Sequence, residues 1–251
     1  MTAISTTVTV TATQVRDLHL RGFLCLDAFL SPREVAILKR VYDERFLSRQ
    51  VDRDTTFAQL QAELPELRRL DVHDRALRLA QQLIGDQATL AKEKFMYRRP
   101  DDPYGTPWHQ DWAFGHPEYL KLSVNLWIPL QDVDMDNGCL WYLPGSHLQD
   151  ILPHRHLSDR QEGHQKDVIL EADTTLIDES RAVPAILPAG GVAIHLANTL
   201  HSAHPNRSAD ARRAYIMHYD GLTYERLMKR GYDSWPWMAF RDQARVQEAT
   251  A

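Results

Sequence analysis

Cysteine is nearly missing from this chain: Cys25 and Cys139 are the two in 251 residues. They form no C-x-x-C pair, so a disulfide framework and a thiolate zinc site are both excluded, and both are expected to be buried free thiols. No apolar run approaches the roughly 20 residues that cross a bilayer. No basic segment followed by an apolar one opens the sequence, so no secretory leader is expected and a soluble, cytoplasmic protein is. An excess of positive charge is also lacking. Lys and Arg total 29 against 34 Asp and Glu, a net charge of −5. That balance gives no electrostatic reason to expect nucleic acid or a membrane as partner. Internal repeats and low-complexity blocks are absent, which excludes a solenoid.

What is present suits one large domain: 251 residues with 43% hydrophobic composition can bury a sizeable core. Residues 1–14 read as a loose, Thr-rich end. Gly22–Leu26 reads as an edge strand. Ser31, Pro32 and Glu34 form an S-x-x-E helix start, followed by Val35, Leu38, Tyr42 and Phe46 at helical spacing. A short helix within 57–70 and a longer one over Asp74–Ile84, stopped by Gly85, complete a helical layer. From about residue 87 the pattern turns to short strands: Thr89–Tyr97, Leu122–Leu130 with Ser123, Asn125 and Trp127 on one face, Cys139–Leu143, Ala182–Ile186, Gly191–Leu196 and Arg213–Tyr219. Asp134–Gly138 is a turn, and Leu200–Asn206 reads as a turn-rich joint. The polar stretch 148–182, with His154, His156 and His164, reads as a lid-like insert, and 221–251, with Trp235 and Trp237, as a packed tail. Helices first and many short strands after predict a β-rich α+β fold, a β-sandwich or jelly roll under an N-terminal helical layer.

The chemistry concentrates in Pro107-Trp108-His109-Gln110-Asp111. Read as β, this segment places His109 and Asp111 on one face and Trp108, Gln110 and Trp112 on the other. An imidazole and a carboxylate side by side supply two thirds of a 2-His-1-carboxylate triad, which leaves open positions on a non-haem iron. The third ligand has four candidates: His195, His201, His204 and His218. His201 is best placed, at a strand end. His195, inside an apolar strand, reads as a core histidine, and His204, before Pro205, as an edge residue. Arg212 follows His201 by 11 positions. On neighbouring antiparallel strands it would lie behind His201, where a buried guanidinium calls for an anion such as a dicarboxylate.

Taken together, His109-Gln110-Asp111, Asn137-Gly138-Cys139-Leu140, Leu143-Pro144-Gly145-Ser146-His147, His201 with Pro205-Asn206, and Arg212-Arg213-Ala214 resemble the phytanoyl-CoA dioxygenase family of iron(II)/2-oxoglutarate oxygenases. Gly22-Phe23-Leu24 and Phe29–Val35 resemble its N-terminal segment, so the likeness spans roughly residues 15–220. The resemblance implies a double-stranded β-helix. It implies Fe(II) held by His109, Asp111 and His201, with 2-oxoglutarate and O2 as co-substrates. It implies Arg212 and Trp127 at the co-substrate, with Phe95, Tyr97 and Thr106 from segments lining its pocket. One departure stands out: where the family often has Gly-Ser after the distal histidine, this chain has Ser202-Ala203. Ser202, Thr199, Tyr97 or another group is expected to supply the missing hydrogen bond. Asp111 fills the position that related halogenases leave small, which favours hydroxylation; desaturation, epimerisation and ring closure share the site. The substrate wall is expected to include Trp108, Gln110, Trp112, Phe114, His116 and Tyr142. The rivals are a cupin-like zinc or manganese hydrolase or isomerase, which has no use for Arg212, and a non-catalytic binding module.

Overall fold

The computed structural model describes residues 8–45, 55–57, 67, 70–114, 121–157 and 170–223. Its strands are paired antiparallel throughout. In chain order they are β1 (Phe23–Leu26), β2 (Thr55–Phe57), β3 (Thr89–Arg98), β4 (Thr106–His109), β5 (Lys121–Pro129), β6 (Leu140–Tyr142), β7 (His154–His156), β8 (Leu170–Ala172), β9 (Val183–Pro184), β10 (Val192–Leu196), β11 (His201–Ala203) and β12 (Arg212–Thr223). A six-stranded sheet runs β1-β10-β5-β12-β3-β2 and a four-stranded sheet β4-β11-β6-β9; β7 and β8 form a separate hairpin. Two antiparallel sheets with these crossovers make the expected jelly roll, and β1 is the edge strand it was read to be.

Alternation along the central strands decides what each face of the larger sheet meets. Val124, Leu126 and Ile128 of β5, Val192, Ile194 and Leu196 of β10, and Tyr215, Met217 and Tyr219 of β12 join one apolar core. That core is closed from outside by helices α1 (Ala12–Arg21), α2 (Pro32–Arg45) and α3 (Val72–Ile84). The opposite face turns toward the smaller sheet and carries Trp127, Ala193, Ala214 and Ile216 against Leu140, Tyr142 and Ala203. Ser123, Asn125, His195, His218 and Arg212 belong to that inner face too. Polar side chains on the inside of a sandwich carry a desolvation cost, so this is where a site belongs.

The helices are explained by local chemistry. At α2 Ser31 N and Oγ both donate to Glu34 Oε2 at 2.8 Å, and Glu34 N donates to Ser31 Oγ at 3.3 Å, the box foreseen from S-x-x-E. Glu34 also pairs with Arg75 of α3 at 2.5 Å, which locks the two helices together. α3 buries Val72, Ala76, Leu79, Ala80, Leu83 and Ile84. Residues 8–21 are not loose: Thr11 caps α1, accepting from Gln14 N at 3.2 Å while Gln14 Oε1 accepts from Thr11 N at 2.8 Å. The Thr-rich lead-in hid that T-x-x-Q box. Most of 57–70 and Phe46, His164, Trp235 and Trp237 lie outside the described residues.

Gly22 ends α1 with φ +86°, and a Cβ there would meet His147 Nδ1 and Thr199 Oγ1 at 2.6 Å. Glycine is required twice over, for the left-handed backbone and for the close approach. The approach joins α1 to the loop before β11. His147 donates to the His19 carbonyl at 2.9 Å, and both rings are buried. Burial lowers each to about 4, with His147 adding to the depression at His19. A depressed histidine pKa means that the unfolded chain takes up protons the folded chain refuses. The stabilisation is therefore complete above pH 6.5 and falls as pH drops toward 4. Urea unfolding of the metal-free protein is expected to show a lower midpoint at pH 5.5 than at 7.5. Each of these histidines should account for about 1 kcal/mol, and His147→Gln should flatten the dependence.

Candidate metal centre

β4 ends at His109, and Asp111 opens a 3-10 turn, Asp111–Phe114. The expected continuous strand is thus broken at Gln110. The turn is fixed by Trp112 N donating to Ala197 O and Ala113 N to Gln110 O, each at 3.0 Å, and it still swings Asp111 back beside His109. His201 does not lie in a loop. It starts β11, a central strand of the smaller sheet, opposite His109 on one side and Tyr142 on the other. Three residues flanked by His, Pro and Asn are too short an alternation to read as a strand.

One ligand atom from each of His109, Asp111 and His201 lies within 4.8 Å of the others. His109 Nε2 is 3.9 Å from Asp111 Oδ1, and His201 Nε2 is 4.0 Å from Asp111 Oδ2. Each ligand imidazole donates through Nδ1 to the carbonyl two residues earlier in its own segment, His109 to Pro107 O and His201 to Thr199 O, both at 2.9 Å. Those bonds fix the tautomer and leave both Nε2 lone pairs facing the carboxylate. Burial lowers His109 to about 3 and His201 to about 4, each depressed further by a neighbouring histidine, so both rings are neutral at physiological pH. Burial opposes ionisation of Asp111, but His201, His195 and His109 outweigh it and hold the carboxyl well below the usual range. Neutral imidazoles and an ionised carboxylate are the protonation states a divalent cation requires, so the donor set fits iron(II).

Behind Asp111 stands a polar chain. Asn125 Nδ2 donates to Asp111 Oδ2, and Asn125 Oδ1 accepts from His218 Nδ1 at 2.8 Å. His218 Nε2 is 2.9 Å from Asp220 Oδ1, which also accepts from Ser123 Oγ at 2.9 Å. His195 was read as a core histidine. It is buried, yet its Nε2 lies 3.3 Å from Asp111 Oδ2 and its Nδ1 2.9 Å from the Tyr142 hydroxyl. The signal was available: in Val-Ala-Ile-His-Leu, alternation sets His195 opposite the apolar Val192, Ile194 and Leu196. His204 lies apart, exposed and stacked on Trp141 with ring centres 4.7 Å apart.

Arg212 is 0% exposed. It is not a strand neighbour of His201, because β11 and β12 belong to different sheets and Arg212 pairs with Arg98 of β3. Its guanidinium carbon lies 5.3 Å from the Trp127 ring centre, and Trp127 Nε1 is buried with no hydrogen-bond partner among the described residues. A buried cation beside an unpartnered N–H donor suits a carboxylate, so the interior fits the far end of 2-oxoglutarate.

Other expected pocket residues are placed elsewhere. Phe95 and Tyr97 face the helices, where both meet Tyr42; β3 turns Lys94, Met96 and Arg98 inward instead. Thr106 accepts a hydrogen bond from Arg98. Ser202 pairs with Trp141 on the face of β11 away from His201, and Ala203 occupies the inward position. Thr199 Oγ1 donates to Gly22 O at 2.8 Å. Of the expected substrate wall, Trp108 packs with Leu143, Ala172 and Leu200, while Tyr142 is fully buried and stacks on Phe23 at 4.6 Å. Gln110, also fully buried, donates to Asn198 O and accepts from Leu152 N, both at 2.8 Å. Its own N–H donates to His154 Nε2 at 3.1 Å, so Gln110 and His154 strap the start of the expected lid to the metal strand. Trp112 is half-buried near the site; the Phe114 side chain and His116 lie outside the described residues.

Asp111→Ala and His201→Ala are each expected to weaken Mn(II) binding, measured by calorimetry, at least 100-fold, with the far-UV circular dichroism unchanged.

The sequence comparisons agree with this geometry. The family model of phytanoyl-CoA dioxygenase matches residues 18–214. A probable alpha-ketoglutarate-dependent hypophosphite dioxygenase of Stutzerimonas stutzeri is 27% identical over 246 residues, covering 90% of this chain and 80% of its own. Phytanoyl-CoA dioxygenase domain-containing protein 1 of Bos taurus is 27% identical over 140 residues, and the match spans 47% of its length. Among solved structures, EvdO2 of Micromonospora carbonacea var. aurantiaca, complexed with 2-oxoglutarate, superposes with a TM-score of 0.74 at 26% identity, covering 86% of this chain and 93% of that one. The non-haem alpha-ketoglutarate-dependent carbocyclase SnoK of nogalamycin biosynthesis superposes at 0.65 with 25% identity, covering 85% of each chain. With the triad on the inner face of a jelly roll and the family model matching most of its length, this chain belongs to the phytanoyl-CoA dioxygenase family of iron(II)/2-oxoglutarate-dependent oxygenases.

Proposed function

We propose that this oxygenase hydroxylates an unactivated C–H bond of a small molecule, with His109, Asp111 and His201 holding the iron and Arg212 the far carboxylate of 2-oxoglutarate. The observation that carries this reading is the convergence of three ligand atoms within 4.8 Å between the two sheets, whose interior also buries Arg212. When bound, iron and 2-oxoglutarate activate O2, with decarboxylation of the co-substrate to succinate. The chain's own part is orientation and exclusion. Pro107 and Thr199 carbonyls aim the two imidazoles, and Asn125 steadies Asp111. Arg212 and Trp127 fix the end of the co-substrate remote from the metal. The buried surroundings keep bulk water away.

Asp111 occupies the place a halide would take, which supports hydroxylation over halogenation. Ring closure is the second reading, favoured by the likeness to the carbocyclase. Trp112 is the substrate-wall residue with described support, and Phe114 and His116 extend the same segment. A net charge of −5 supports a small molecule, not nucleic acid or an anionic membrane, as partner. No described helix is long and apolar enough to cross a membrane. The two free thiols, Cys25 and Cys139, support a cytoplasmic enzyme.

With Fe(II), ascorbate and air, the protein is expected to convert 2-oxoglutarate to succinate, faster when a screened small molecule serves as substrate and gains one oxygen atom. Arg212→Ala should raise the KM for 2-oxoglutarate by about tenfold to 100-fold, the loss of a charge-assisted bidentate pair. Metal-dependent hydrolysis without 2-oxoglutarate consumption would assign the site to the cupin-like class instead.

A further inference from the structure

His195 and Tyr142 remain without a role in the oxygenase chemistry, although they sit beside Asp111. His195 comes from β10 of the larger sheet, opposite Asn125. Tyr142 comes from β6 of the smaller sheet, opposite His201. Their 2.9 Å hydrogen bond therefore links the two sheets beside the metal ligands. Its polarity can be worked out. Tyr142 is fully buried, and a phenol carries its hydrogen at neutral pH. The acceptor facing that hydrogen is His195 Nδ1. A hydrogen on Nδ1 as well would turn the phenol hydrogen away from the hydrogen-bond partner that the described residues give it. In the neutral ring the remaining hydrogen is then on Nε2, which lies 3.3 Å from Asp111 Oδ2. Asn125 Nδ2 is also 3.3 Å from that Nε2, but the amide gives a hydrogen to Asp111 Oδ2, and the Tyr142 contact at Nδ1 leaves Nε2 as the nitrogen that carries the ring hydrogen toward the carboxylate.

From this we infer that His195 is a positioning residue of the metal centre: set by the Tyr142 hydroxyl, it donates from Nε2 to Asp111 Oδ2. Asn125 donates to the same oxygen. With two donors on Oδ2, Oδ1 is the Asp111 oxygen that neither of them occupies; it lies 3.9 Å from His109 Nε2, while Oδ2 lies 4.0 Å from His201 Nε2. His195 itself is outside the set of converging ligand atoms, so the ring serves the carboxylate and not the ion.

The inference rests on the reading of His109, Asp111 and His201 as a metal site, and one experiment separates the two. Mn(II) affinity is measured by calorimetry on wild type, His195→Gln, His195→Leu and Tyr142→Phe. Wild-type protein that takes up no Mn(II) overturns the metal-site reading and this inference with it. With wild-type binding in place, His195→Leu is expected to lose about tenfold to 100-fold, the usual scale for an outer hydrogen-bond partner. His195→Gln, whose amide restores a donor, should stay within a few-fold of wild type. Tyr142→Phe should weaken binding, because the ring is then free to carry its hydrogen on Nδ1. A His195→Gln loss as large as that of His195→Leu would make the ring a direct ligand and overturn the inference. So would affinities unchanged in Tyr142→Phe. Should His195→Leu fail to fold, the contrast between His195→Gln and Tyr142→Phe decides alone: a loss in the second without one in the first supports the inference, and any other pattern overturns it.

Discussion

Two hydrogen bonds from histidine side chains to nearby backbone carbonyls organise everything else at this centre. Pro107 O and Thr199 O each accept from an imidazole Nδ1 two residues onward. A histidine is a useful metal ligand when one nitrogen is committed and the other is bare. Here the commitment is made inside two segments that pair with each other, His109 directly opposite His201. The ring orientations therefore follow from strand pairing and need no loop to close. His154 uses the same bond, donating to Leu152 O at 2.7 Å, and its free nitrogen accepts from the backbone of Gln110. One local geometry thus both aims the ligands and ties down the strand that bears them.

The larger sheet makes the site tolerable. Its outer face is apolar and covered by three helices, which secures the strands. Its inner face can then carry Ser123, Asn125, His195, His218 and Arg212 among small and aromatic residues. Each buried polar group of the Asp111–Asn125–His218–Asp220–Ser123 chain meets a partner, as a low-dielectric interior demands. The end of the interior around Arg212 is different: among the described residues Trp127 Nε1 has no hydrogen-bond partner, and the Arg212 guanidinium beside it is fully buried. Sheet and helix packing thus set up two unlike compartments, one that holds the Asp111 carboxylate among hydrogen-bond donors and one that buries a guanidinium beside an indole N–H.

The sequence revealed the ligands more readily than their surroundings. The closeness of His109, Asp111 and His201 was legible from residue type together with the family resemblance, while Arg212 was expected in the interior but on a strand beside His201, where it does not lie. The Ser31–Glu34 box and the shared face of Ser123, Asn125 and Trp127 were legible because both depend on local periodicity. Facing was lost wherever it depended on which strands pair. Phe95 and Tyr97 lie one residue out of phase with the interior, and Ser202 points away from the ligand beside it. Trp108, Gln110 and Tyr142 look like pocket residues from their closeness to the metal segment, yet tertiary packing gives all three structural duties. His195 was concealed by a hydrophobic run in which one histidine reads as filler, until the strand's alternation is set against its neighbours.

The claim at the centre is that the imidazoles and the carboxylate share one ion while Arg212 grips a carboxylate across the interior. The most direct measurement is a crystal structure of the protein with Mn(II) and 2-oxoglutarate under anaerobic conditions. The account predicts density for a single metal in contact with His109 Nε2, Asp111 Oδ1 and His201 Nε2, and the remote carboxylate of 2-oxoglutarate on the Arg212 guanidinium. A metal bound without His201, or a co-substrate lying away from Arg212, would contradict it.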